Sequence, residues 1–152
     1  MRTILGPTIF ALLAISPALA GDLPGSATPV TSEEATQLYS GKTALYKSAS
    51  FYFAPDGTTK GYYGKPPKGA LVGTWTANGN ELCVTSHGFL ATDTTPRVNC
   101  NKYWKDGKRI WSLWSVHFDN SPVDPHGYGD KEISQYKPGD LVEKQYKALG
   151  GP

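Results

Sequence analysis

The sequence predicts a mainly β fold: a small antiparallel β-barrel or two-layer meander. A short N-terminal helix, a short C-terminal helix and one disulfide complete it. Three observations predict this. Between residues 43 and 118, apolar side chains alternate with polar ones at a period of two, as on strands with one buried face. Turn-forming clusters recur along the same stretch, at Pro55-Asp56-Gly57, Asn78-Gly79 and Asp106-Gly107. The chain of 152 residues carries 17 Gly and 12 Pro with 12% aromatics, the profile of many short strands joined by tight turns.

The N-terminus sets the address. Met1 and Arg2 give a charged opening, Ile4 to Ile15 is mostly apolar, and Ala18-Leu19-Ala20 places small residues at the −3 and −1 positions. This is the plan of a secretory signal peptide over residues 1–20, with the mature chain starting at Gly21. A membrane anchor needs about 20 predominantly apolar residues, and this run is shorter, so no stable membrane insertion is expected after cleavage. Residues 21–30 are small, Pro- and Gly-rich, and read as a flexible leader. Residues 31–150 form a single β-rich domain, and a monomer is expected.

Thr31-Ser32-Glu33-Glu34 has the spacing of a capping box, and Gly41 suits a helix stop, so a helix is predicted near 32–40. Ala35, Leu38 and Tyr39 make its packing side. Phe51 and Phe53 then alternate with Ser50 and Tyr52 on a strand. Pro55-Asp56-Gly57 turns the chain into a return strand near 58–63. Gly64 to Gly69, with two consecutive prolines, is a loop. Leu71, Gly73 and Trp75 share a face opposite Val72 and Thr74. Asn78-Gly79 turns into 81–86, with Leu82 and Val84 opposite Cys83, and residues 87–96 are a polar loop. Arg97 to Lys105 and Lys108 to Phe118 form the next hairpin, the second expected to be the longest strand. Residues 120–130 read as a loop, Lys131 to Tyr136 as a final strand, and 141–148 as a terminal helix. Six or seven strands result.

Charge and motif content restrict function. Without Arg2, 14 basic residues face 13 acidic ones, a net charge of +1. A nucleic-acid binder would need a basic stripe, so no nucleic-acid partner is expected. Cys83 and Cys100 in an exported chain are expected to pair. His117, Asp119, Asp124, His126 and Asp130 crowd together, but Asp and Gly are also what turns require, and no metal or cofactor is expected. Ser86 and His87 are neighbours that a strand would point apart, and no nucleophile elbow is present. The carboxylates are too scattered to nominate a glycosidase pair. The balance leans away from an enzyme.

The candidate binding residues come from the aromatic strand 108–118. Ile110, Trp114, Val116 and Phe118 fall on one face, the core face. Trp111 and Leu113 fall on the other, which ends at His117. Trp111, His117, Trp75, Tyr62 and Leu113 are the candidates for an aromatic-lined groove, since aromatic platforms suit small molecules or a partner protein. Packing of Trp111 beneath a loop is the structural alternative. Tyr52, Tyr62 and Tyr63 form a second aromatic concentration.

Taken in order, several of these pieces resemble a known family. They are the Thr31–Glu34 helix ending at Tyr39-Ser40-Gly41-Lys42-Thr43, then Phe53-Ala54-Pro55-Asp56-Gly57-Thr58, Gly73-Thr74-Trp75, Leu82-Cys83-Val84, and Cys100 followed by Trp104. The chain from about 31 to 118 is similar to a proteobacterial family of small exported proteins catalogued as domain of unknown function 995. The resemblance implies a Gram-negative envelope location and transfers no catalytic residue. Gly73-Thr74-Trp75 is also similar to the Gly-x-Trp element of lipocalins. There it lies on the first strand; here it lies mid-domain, with too little chain following for a full eight-stranded barrel, so a small barrel lipocalin-like in appearance, rather than a member of that family, is expected. The expectation is a non-enzymatic periplasmic binding or accessory protein, with a small molecule or an envelope protein as partner. The alternatives are an inhibitor of an envelope enzyme, with loop 120–130 as its candidate surface, and a small hydrolase using His87, His117 or His126. Secretion to the exterior is the alternative address.

Overall fold

The computed structural model describes residues 21–89 and 94–152, so the expected signal segment lies outside the described residues. The chain forms a curled antiparallel half-barrel of nine strands. Strands β2 (Lys42–Leu45), β3 (Ala49–Phe53), β4 (Thr58–Tyr63), β5 (Gly69–Asn78), β6 (Glu81–Gly88), β7 (Arg97–Asp106) and β8 (Arg109–Val116) follow one another as a meander. β9 (Tyr136–Pro138) returns to pair with β2. β1 (Thr28–Pro29) pairs with Lys105 and Trp104 of β7, beyond the last β6 partner, Lys102. β8 pairs along the other edge of β7. The stretch read as a leader is therefore tied down at this point, and Val30 is buried.

Helix α1 (Ser32–Tyr39) forms where the sequence places it. Thr31 accepts from the Glu34 amide and Glu34 reaches back to the Thr31 amide, satisfying two donors that the first helical turn leaves without partners. The helix lies against β5 and β6 and inserts Tyr39 into an aromatic cluster of Phe53, Trp75, Tyr103 and Tyr136. Each such ring contributes about 1.5–3 kcal/mol when fully buried. The Trp75 indole also donates to the Ala54 carbonyl at 2.9 Å, so its polar edge is satisfied. α1 thus plugs one end of the curled sheet.

Helix α2 (Glu143–Ala148) lies against β4, with Tyr146 buried. Asp140 accepts from the amides of Val142 and Glu143, where the chain enters the helix. Lys60 is held by Asp140 at 2.8 Å and by Glu143. Burial pulls its ammonium down, but the hydrogen bonds and charges of these two carboxylates outweigh it and leave Lys60 above its ordinary value.

The cysteines pair as expected. Cys83 and Cys100 are register partners on β6 and β7, bonded with Cα atoms 4.1 Å apart. Cross-strand neighbours at this spacing need no backbone movement to be bridged.

Four expectations are corrected. Both clear hairpins turn one residue later than the dipeptides suggest. Asn78 pairs with Glu81 and Asp106 with Arg109, so the loops are Gly79-Asn80 and Gly107-Lys108. In each, glycine takes the first loop position at φ +57°, where a β carbon is disfavoured. The longest strands are β5 and β7, at 10 residues each, rather than β8 at 8. β7 has ladder partners on both edges, whereas β8 is interrupted by a bulge opposite Cys100/Asn101. Residues Glu132–Gln135 are a 3-10 turn, not a strand, because the Glu132 carboxylate faces inward to take two tyrosine hydroxyls. Nine strands, not six or seven, result, since the two short flanking pieces β1 and β9 carry little periodic signal of their own.

One feature closes the open side of the sheet. Gly129 exchanges backbone hydrogen bonds with Ser112 of β8, the 3-10 turn packs against β8, and β9 then joins β2. Residues 129–138 therefore span the seam between the two ends of the meander.

Candidate functional site

Register fixes which side chains face the concave side. Phe51 and Phe53 on β3 share a face with Gly61 and Tyr63 on β4 and with Leu71 and Trp75 on β5. The same face continues through Val84 and Ser86 on β6, then Arg97, Asn99 and Asn101 on β7, and Trp114 on β8. Near α1 this face is packed solid. Toward the other end the half-barrel stays hollow and encloses a cavity of about 770 Å³. Ligand pockets run from about 300 to 1,000 Å³.

The cavity walls are mainly apolar. Phe51, Leu71, Val84 and Trp114 form the sides, Tyr39 and Phe53 the inner end, and Tyr63 and Phe118 stand near the opening. Phe118 is half exposed, at 52%. Polar side chains border it as well: Ser48, His87 and Thr95, and Ser86, Asn99 and Asn101, which lie together on β6 and β7. Among the described residues the buried Asn99 Oδ1 has no hydrogen-bond partner. Lys68 and Arg97 are the charged residues of the lining among the described residues, where no Asp or Glu belongs to it.

A tyrosine network backs the inner wall. Tyr39 and Tyr103 hydroxyls are 2.7 Å apart, and Tyr46 donates to Glu132 at 2.7 Å and lies 3.0 Å from the Tyr136 hydroxyl. Burial holds Tyr39, Tyr46, Tyr103 and Tyr136 well above the ordinary phenol value, so all four stay neutral. Tyr46 and Tyr136 donate to Glu132, and of Tyr39 and Tyr103 one donates to the other. Tyr39 and Tyr46 border the cavity, and their hydroxyls are engaged by Tyr103, Glu132 and Tyr136.

The sequence-derived candidates lie as follows. Trp75 is buried in the aromatic cluster beneath α1. Trp111 and Leu113 fall on the opposite face of β8 from Trp114, and Trp111 is the register partner of Trp104, on whose ring Tyr128 packs. Tyr62 falls on the opposite face of β4 from Tyr63. His117 stacks on the Trp114 ring, with centroids 4.9 Å apart. None of these five is itself a lining residue; His117 touches the lining Trp114, and Trp75 packs on the lining Tyr39 and Phe53. Trp114, Asn99, Lys68 and Phe118 are the lining residues that the motif search passes over. Their signal lies in the alternation: Arg97, Asn99 and Asn101 put three polar residues on the same face as Tyr103, which a solid core would not accept.

The histidines are placed apart from the candidate groove's tryptophans, His117 excepted. Ser86 and His87 both border the cavity, and His87 Nδ1 lies 3.2 Å from the Gly88 carbonyl oxygen. His126 is exposed and lies 3.0 Å from Asp22. Asp119 and Asp124 cap the amides of Ser121 and His126, the turn role that competes with metal binding. Among the described residues no group of three or more His, Cys, Asp or Glu is placed to hold a metal ion.

Comparison with curated proteins and with solved structures gives no match. A family model described as "Protein of unknown function (DUF995)" matches residues 8–123. That span includes α1, the disulfide and every strand of the meander, and on it the chain belongs to the DUF995 family.

Proposed function

We propose that this protein is a non-enzymatic binding protein that takes a small, largely apolar molecule into the hollow end of the half-barrel. The observation that carries the reading is the cavity itself. A partly open cavity of about 770 Å³ walled by Phe51, Leu71, Val84 and Trp114 has the size and the apolar walls of a ligand pocket, which supports the reading. The unpartnered Asn99 Oδ1 supports it, because an unmet buried acceptor costs about 1–3 kcal/mol that a ligand donor offsets. The charge-apolar-small pattern of residues 1–20 and the disulfide support export to the periplasm as a soluble protein.

The test is uptake of the neutral apolar fluorophore N-phenyl-1-naphthylamine, read as enhanced probe emission and energy transfer from tryptophan. Saturable uptake is expected, and Leu71→Trp, which narrows the cavity, is expected to weaken it without unfolding the protein. No uptake by the parent protein, or unchanged uptake by the folded variant, overturns the reading. Fractionation of the native host, with intact mass showing loss of residues 1–20, tests the address.

A further inference from the structure

We infer that the ligand is an amphipathic anion, an apolar chain or ring system bearing a carboxylate, with its tail in the cavity and its head at the mouth beside Lys68. The inference rests on the binding reading above and adds the class of molecule. Three observations carry it.

The first is the distribution of polarity along the cavity. The inner end is closed by the rings of Tyr39 and Phe53, and the hydroxyl of Tyr39 is turned away to Tyr103. The one carboxylate of the tyrosine network, Glu132, accepts from Tyr46 and Tyr136 and is not part of the lining. A ligand end placed here meets ring faces, which suits a hydrocarbon tail.

The second is the sign of charge at the opening. Lys68 lies in the loop between β4 and β5, and Arg97 begins β7. Both belong to the lining, and no acidic side chain among the described residues does. Arg97 already has an interaction of its own, so the inference is placed on Lys68. An ammonium at the edge of a low-dielectric trough acts on an anion more strongly than it would in open solvent, because apolar walls focus its field.

The third is the middle of the wall. Ser86, Asn99 and Asn101 form a short polar step between the apolar interior and the charged rim. The unpartnered Asn99 Oδ1 accepts a hydrogen bond, which accommodates a hydroxyl or amide N–H near the head of the ligand or a water that solvates it. Polarity therefore rises in one direction, from rings through amides to ammonium. A uniformly apolar ligand would leave both the step and the rim unused.

The experiment is calorimetric titration of the purified protein with three chain-matched probes below their micelle concentrations: dodecanoate, dodecanol and dodecyltrimethylammonium. Dodecanoate is expected to bind at least about tenfold tighter than the ammonium, with dodecanol between. Lys68→Glu, an exposed position where folding is not at stake, is expected to cut the carboxylate-to-ammonium ratio by about tenfold while leaving dodecanol within about twofold. High salt is expected to narrow the same ratio in the parent protein. Equal binding of the two charged probes, or an unchanged ratio in Lys68→Glu, overturns the inference. Failure of all three probes to bind also overturns it, and fluorophore uptake by the same sample then shows whether the binding reading survives.

Discussion

The Tyr39 and Tyr103 hydroxyls meet at 2.7 Å with both rings buried, so α1 is joined to β7 by a hydrogen bond inside the core. Replacing one partner strands the other. Tyr39→Phe is expected to destabilise the protein by about 1–3 kcal/mol, the cost of leaving a buried hydroxyl unmet. The double variant with Tyr103→Phe is expected to cost less than the two single changes added together, because the pair acts as a unit. Urea midpoints of the three variants and the parent measure this.

The same network sets an alkaline limit. Tyr39, Tyr46, Tyr103 and Tyr136 are held above the ordinary phenol value chiefly by burial. In the unfolded chain they ionise near pH 10, whereas the fold keeps them protonated. Their contribution is fully present below about pH 10 and is lost as pH rises toward the folded-state values. Stability is therefore expected to fall steeply above about pH 10, with part of the tyrosinate absorbance appearing only as circular dichroism reports unfolding.

Gly73 faces a backbone limit. A β carbon there would lie 1.9 Å from the Thr85 carbonyl oxygen and 2.8 Å from the Ser86 Cα. Neither atom can move without shifting β6. Gly73→Ala is expected to cost about 3 kcal/mol or more, above the usual range for a modest overpacking. Gly25→Ala, where nothing lies within 4 Å, serves as the control and is expected to stay within about 0.5 kcal/mol. Thermal unfolding of both variants distinguishes the cases.

The Cys83–Cys100 bond closes a loop with a sequence separation of 17. In the chain-entropy account such a loop is worth about 3 kcal/mol. The double variant Cys83→Ser/Cys100→Ser is expected to lose that amount while still folding, since register across β6 and β7 is also held by the ladder from Glu81 to Ser86. Denaturant unfolding with and without reductant checks it, and reductant is expected to leave the double variant unchanged.

Local chemistry was readable in the chain and curvature was not. The Thr31–Glu34 box, the shared face of Leu71, Gly73 and Trp75, and the pairing of the two cysteines each depend on residues close in sequence or on compartment. Alternation also separates the two faces of β8, Trp114 from Trp111. It does not say which face encloses space, because both carry a tryptophan. That is decided by how the sheet curls, at Gly61 and Gly73 where neighbouring backbones approach too closely for a β carbon, and by where α1 stops filling the interior. The turn dipeptides mark hairpins correctly, yet the glycine rather than the preceding Asn or Asp begins each loop, so positions shift by one.

The span from Gly129 to Pro138 has a geometric consequence. In a cylinder sealed strand to strand, bore follows from strand number and stagger. Here the circumference is completed by a belt, hooked to Ser112 at one end and buckled to Ala44 at the other by Tyr136. The girth of the hollow is then a matter of belt length, and it can be let out or taken in by inserting or deleting residues between Gly129 and Tyr136 with every rung of the meander left in place.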